Sequence, residues 1–266
     1  MVMLTLEVQD EQSMVKSSRN ENSQVKLVYS QGYEPGDAIV LRSTEVPVNL
    51  VIQLEDSMPP AFVYLSEEAF RFVVPHGEKR ASYSPKSFVG EMHVITARVA
   101  FPEEIQAYKN LALNPYDQHD NSSCYPHASA NAETRGESVF AARNAINGNT
   151  ANDSHGEWPY ESWGINGRED AEITVHLGRI VIIDKVVLTL RADFPHDNYW
   201  EQVTLNFPDG SSHTASLVKT HQPQVISLAP RNVDRITLSK LIKSEDPSPF
   251  PALTQIEVYG REDSRK

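Results

Sequence analysis

The sequence predicts an all-β protein built from two β-sandwich domains, and three observations carry that prediction. Short runs that alternate apolar and polar residues recur along the whole chain. Clusters of Gly, Pro, Asn and Asp separate those runs, and no stretch holds a helical period for long. At 266 residues the chain has room for one large domain or two ordinary ones, and a polar, turn-rich break near its middle favours two.

Residues 1–105 supply the first set of strands. Leu4, Leu6 and Val8 alternate with polar neighbours, and residues 24–29 repeat the rhythm. A Tyr-Glu-Pro-Gly-Asp turn at 33–37 feeds an apolar run at 38–41. Further strands are expected at 46–54, 61–65, 70–74 and 92–99, with Met58-Pro59-Pro60 as a breaker. Pro47 cannot donate to a ladder and belongs at a strand start or an edge. Residues 102–112 are the helix candidate of this half, since Pro102 suits a first turn and Glu103 and Glu104 suit its dipole. Behind it, residues 114–126 read as an exposed lead-in open to proteolysis. The boundary is placed there, giving domains of residues 1–105 and 106–266.

The second half is organised around residues 140–178. An apolar patch ends in the turn Asn147-Gly148-Asn149, where Gly permits positive φ and Asn tolerates it. A polar loop with Trp158 and Trp163 follows. Then Ile173, Val175 and Leu177 alternate with Thr174 and His176 and close on Gly178. Residues 180–190 predict two strands or one bent at Asp184, and strands are also expected at 199–207, 212–217, 224–228, 233–239 and 253–260. Asp209-Gly210 marks a hairpin.

That order of polar turn, Trp-bearing loop and strand closing on Leu-Gly resembles the discoidin family, also called factor V/VIII type C domains, and its relative carbohydrate-binding module family 32. Two positions depart from the family pattern, with Asn147 and His176 standing where Asp is usual. The resemblance spans roughly residues 110–260 and implies an eight-stranded, galactose-binding-like jelly roll. It also implies a structural calcium between the turn and the last strand. The ligands would be the carbonyls of Asn144, Asn149 and Thr254 and the side chains of Asn147, Asn152 and Gln255. Oxygen donors suit a hard cation, but Asn147 and Gln255 replace carboxylates, so a weak site is expected. A metal-free turn held by Asn side-chain hydrogen bonds is the other reading.

Two loops carry the residue types that grip sugars. One holds Trp158 and Tyr160; the other holds Arg191, Asp193, His196, Asp197 and Trp200. A flat aromatic face meets the C–H surface of a sugar, and bidentate polar groups meet vicinal hydroxyls. Loops of a jelly roll converge at one end, so the two clusters are expected to meet. The plainer readings are core roles for Trp163 and Trp200 and an Arg191–Asp193 ion pair that orders its loop.

Charge narrows the function. A net charge of −12 argues against nucleic acid or an anionic membrane as partner. Residues 1–105 carry 9 basic and 15 acidic side chains and the rest carry 15 and 21, so neither half is a charged tail. No apolar run is long enough for a membrane span. Cys124 is the only cysteine, and the N-terminus lacks the features of a signal peptide; both point to a cytoplasmic location. Seven of the nine His fall after residue 105 without a metal-ligand spacing, and no nucleophile elbow or phosphate-binding loop is present. The reading is a non-catalytic carbohydrate-binding protein. The alternatives are a glycoside-processing enzyme with its site between the domains, using carboxylates such as Asp193 and Asp197, or a protein–protein interaction module.

Overall fold

Side chains of a strand point alternately to its two faces, and this alternation builds the first half. The computed structural model describes residues 1–263. Its first eight strands are β1 (Met3–Gln9), β2 (Val15–Asn22), β3 (Gln24–Tyr29), β4 (Ala38–Ser43), β5 (Val48–Gln53), β6 (Ala61–Leu65), β7 (Ala69–Val73) and β8 (His93–Val99). One sheet runs β2-β1-β4-β7 and the other contains β6-β5-β8-β3. Leu4, Leu6, Ile39, Leu41 and Phe72 of the first sheet share a core with Leu27, Leu50, Ile52, Val63 and Ile95 of the second. Pro47 sits one residue ahead of β5, where no ladder donor is needed. The sequence pattern misses β2, because an exposed edge strand tied to β1 by its backbone needs no apolar alternation.

The connector corrects two expectations. The helix α1 (Pro102–Gln106) is five residues long, less than half the predicted span. The Lys109 ammonium closes it on the Glu104 and Ile105 carbonyls at 2.8 and 2.9 Å. The chain then pairs with residues 259 and 260 as β9 (Lys109–Asn110), and a backbone engaged in a sheet ladder cannot continue a helix. Residues 114–125 are no exposed lead-in either. Tyr116 and Cys124 are buried in the first core, and β10 (Cys124–Tyr125) adds a strand beside β6. The buried Asp117 carboxylate organises this segment, accepting from the Ala128 amide and His127 Nδ1, both at 2.8 Å. Burial alone would lower the His127 pKa, but the Asp117 hydrogen bond and charge outweigh it and the pKa is raised.

The remaining strands are β11 (His127–Ala130), β12 (Trp163–Gly164), β13 (Ile173–Leu190), β14 (Trp200–Asn206), β15 (Ser212–Ser216), β16 (Gln224–Lys243) and β17 (Ala252–Glu262). Two pairs of expected strands are each one long strand, β13 and β16. Residues 173–176 of β13 lie between β11 and the second half of β16. Residues 181–190 lie between the first half of β16 and β17. β14 and β15 extend the first of these layers, while β12 and β9 pair with β17 in the other. Two antiparallel layers joined by a pair of bent strands form a jelly-roll sandwich. The β13 ladder breaks around Gly178, whose φ is +71° and where a Cβ would lie 2.3 Å from the Tyr125 ring. Only Gly fits there. Among the described residues no helix is long and apolar enough to cross a membrane.

Residues past 105 complete the first sandwich, which generates a prediction. A fragment ending at residue 105 is expected to unfold without a cooperative transition, and one ending at residue 126 to regain it. Loss of a buried aromatic such as Tyr116 alone costs about 3 kcal/mol or more. Calorimetry on the two fragments measures this, and equal stability would place the boundary back at 105.

Candidate ligand-binding cleft

The loop joining β13 to β14 begins at Arg191, which is buried. Its Nε lies 3.0 and 2.9 Å from the two Asp197 carboxylate oxygens, and its Nη2 lies 2.5 Å from Oδ1. Asp197 also accepts the Asp193 amide at 2.9 Å, and the Arg191 amide donates to the Ala252 carbonyl. The ion pair that orders this loop is therefore Arg191–Asp197, not the Arg191–Asp193 pair of the plainer reading. Asp193 instead holds His155 Nδ1 at 2.6 Å. That contact brings the 150s loop against the 190s loop. The His155 ring stacks on His196 at 4.0 Å, and His196 stacks on Phe250 at 5.2 Å. Asn198 Nδ2 donates to the carbonyls of Asp246 and Ser248, which holds the Phe250 loop beside this column of rings.

The column borders a cleft of about 330 Å³ whose other walls include Phe140, Arg135, Arg191, Ala252 and the turn at 164–167. The Arg191 and Arg135 guanidinium carbons lie 5.7 and 5.8 Å from the Phe140 ring centre. Arg191 is tied to the buried Asp197 and so is positioned in advance, while Arg135 pairs with Glu137 at the exposed rim. Among the described residues the His196 ring nitrogens and His155 Nε2 carry no hydrogen bond, which leaves them open to a polar ligand.

Of the seven ligand residues expected from sequence, Arg191 and His196 line the cleft. Asp193 and Asp197 stand behind it and fix His155 and Arg191. Asp197 is 0% exposed and cannot reach a sugar. Trp200 is also 0% exposed and lies 6.3 Å from Trp163 in the core. It opens β14 on the inward face, so no ring surface is left for a ligand. Trp158 and Tyr160 are not among the lining residues; the Trp158 amide donates to the Ala81 carbonyl of the first sandwich. The two loops do meet, but through His155. Sequence reasoning missed His155, Phe140, Arg135 and Phe250. The signal for Phe250 was its place between Pro249 and Pro251 in a loop, where it is 51% exposed.

The turn expected to hold calcium is closed by an amide. Gln255 Nε2 donates to the Asn144 carbonyl at 2.6 Å and to Asn147 Oδ1 at 2.7 Å. Its Oε1 accepts the Gly148 amide at 3.0 Å, which fixes the orientation of the side chain. Asn147 and Asn149 give their side-chain NH₂ groups to Glu161 Oε1, and Asn152 gives its own to the Leu190 and His221 carbonyls. Thr254 is buried with its hydroxyl unpartnered. An N–H donor stands where a cation would need to be, so this donor set does not fit calcium. Among the described residues no three His, Cys, Asp or Glu are grouped to hold a metal ion.

No family model and no curated protein matches the chain. Solved structures do. A chitosan-binding module of a chitosanase/glucanase from Paenibacillus sp. IK-5 is 20% identical, covering 58% of this chain and 100% of its own at a TM-score of 0.39. The family 32 carbohydrate-binding module of C. perfringens NanJ, in complex with galactose, is 18% identical, covering 50% of this chain and 91% of its own at 0.39. A Streptococcus pneumoniae fucose binding module is 14% identical, covering 57% and 98% at 0.40.

Two predictions follow from these side chains. Arg191→Ala is expected to destabilise the protein by about 3–5 kcal/mol, because Asp197 is left buried without its counter-charge. Chemical denaturation measures the loss, and a cost below about 1 kcal/mol would mean that Asp197 escapes to water. Gln255→Glu places a carboxylate against two oxygens, so its thermal midpoint should fall in chelator and recover with added calcium. The parent should show one midpoint under both conditions; a rise with calcium in the parent would show that the amide yields to the cation.

Proposed function

We propose that the protein binds carbohydrate, without transforming it, in the cleft bordered by Phe140, Arg191 and the His155–His196–Phe250 column. The observation that carries this reading is the column itself. Three flat rings lie in register beside a guanidinium that Asp197 holds still. Ring faces cover the C–H surface of a sugar, and the guanidinium and the open imidazole nitrogens meet its hydroxyls. Fixing these groups before binding lowers the entropy lost on association. A net charge of −12 keeps polyanions away and places no such penalty on a neutral sugar. The glycosidase alternative loses the pair first considered for it, because Asp197 is consumed by Arg191 and Asp193 by His155.

Galactose, fucose and glucosamine are natural first probes, given the names of the similar structures. Calorimetry should give Kd on the order of 0.1–1 mM, as expected for a small polar ligand in an open site. Phe250→Ala and His196→Ala should abolish the heat of binding and leave the thermal midpoint close to the parent's, because both side chains are exposed. Binding that survives both changes would put the site elsewhere, and release of a shortened sugar would replace binding by hydrolysis.

A further inference from the structure

We infer that the ligand of this cleft is an oligosaccharide and that the first sandwich supplies its second subsite; the inference rests on the carbohydrate reading above. A second cavity of about 470 Å³ adjoins the first. Arg135, Phe140 and His155 line both, so the two spaces are halves of one groove. The far half passes out of the jelly roll and reaches Glu78 and Ala81 of the first sandwich.

This far wall is fixed in place. Ser138 Oγ donates to the Glu78 carbonyl and the Trp158 amide to the Ala81 carbonyl, both at 2.8 Å. One residue further, Arg143 Nη1 reaches Ser82 Oγ at 3.3 Å, and its guanidinium lies 4.3 Å from the Tyr83 ring centre. Four ties across six residues hold residues 78–83 in place, and of these Glu78 and Ala81 line the groove. The chemistry changes along it. The near half carries Arg191, His155 and His196, while the far half adds Glu78, Glu137 and Glu157. Glu137 is committed to Arg135. Among the described residues the carboxylates of Glu78 and Glu157 have no partner, and a carboxylate accepts hydrogen bonds from hydroxyls. A single sugar on the ring column leaves these acceptors unused. A chain of sugars reaches both halves, and the second contact adds to the first without a new loss of overall freedom.

The test is a glycan array of mono-, di-, tri- and tetrasaccharides, with calorimetry on each hit and its constituent monosaccharide. Oligosaccharide hits should bind at least tenfold more tightly than their units. Glu78→Ala should remove that gain and leave monosaccharide binding at the parent level. Ala81→Trp, which fills the far half, should do the same if it folds, and Glu78 is exposed, so the first variant keeps the experiment decisive. Affinity independent of chain length, or a gain untouched by Glu78→Ala, would overturn the second subsite while the cleft stands. Silence at every length would overturn the carbohydrate reading and this inference with it.

Discussion

A buried guanidinium ties the connector, the jelly roll and the first sandwich together at one point. Arg143 is 8% exposed and donates to the Asp117 and Pro115 carbonyls, Asn144 Oδ1 and Ser82 Oγ at 3.0–3.3 Å. It lies over the Tyr83 ring, whose phenol burial keeps neutral by raising its pKa. Among the described residues no carboxylate pairs with it. Its charge is met by neutral dipoles, and hydrogen bonds to a charged group contribute about 1.5–3 kcal/mol each. Five donors in a rigid fork can serve four acceptors from three chain segments at once, and a Lys ammonium has neither the reach nor the number. The connector, the 140s turn and the 82–83 segment therefore keep one geometry.

The strands were legible in the sequence wherever one face is dry and the other wet. Leu4-Leu6-Val8 and Ile173-Val175-Leu177 are buried as their alternation says. What could not be seen is whether consecutive runs are one strand or two. The break at Gly178 looks the same in sequence whether the chain turns back or bends into another layer, and the Tyr125 ring that decides for the bend lies 53 positions earlier. β2 was invisible because an edge strand held by its backbone imposes no side-chain pattern.

The site was half legible for a related reason. A loop dense in Arg, Asp, His and Trp announces that its side chains have work, but not whether that work faces inward or outward. Arg191 and Asp197 spend their charges on each other, Trp200 fills the core, and His196 faces the cleft. The Asn-rich turn divides the same way. The residue types that could have ligated a cation instead satisfy one another, because Gln255 brings a donor where a carboxylate would bring a charge. Phe250, which completes the ring column, sits between two prolines and belongs to no alternating run that would single it out.

The strand formed by Cys124–Tyr125 has a consequence for how the chain comes to be folded. During synthesis the first sandwich waits for the fifth strand of its second sheet and for Tyr116 until about 20 residues past α1 have emerged. Those same residues lead directly into β11, the first strand of the jelly roll on that side. Closing the first core therefore also anchors the start of the second, and the order of assembly is written into the thread between them. A genetic exchange at residue 106 would separate two sandwiches on paper and leave the first without β10 and Tyr116 in the cell.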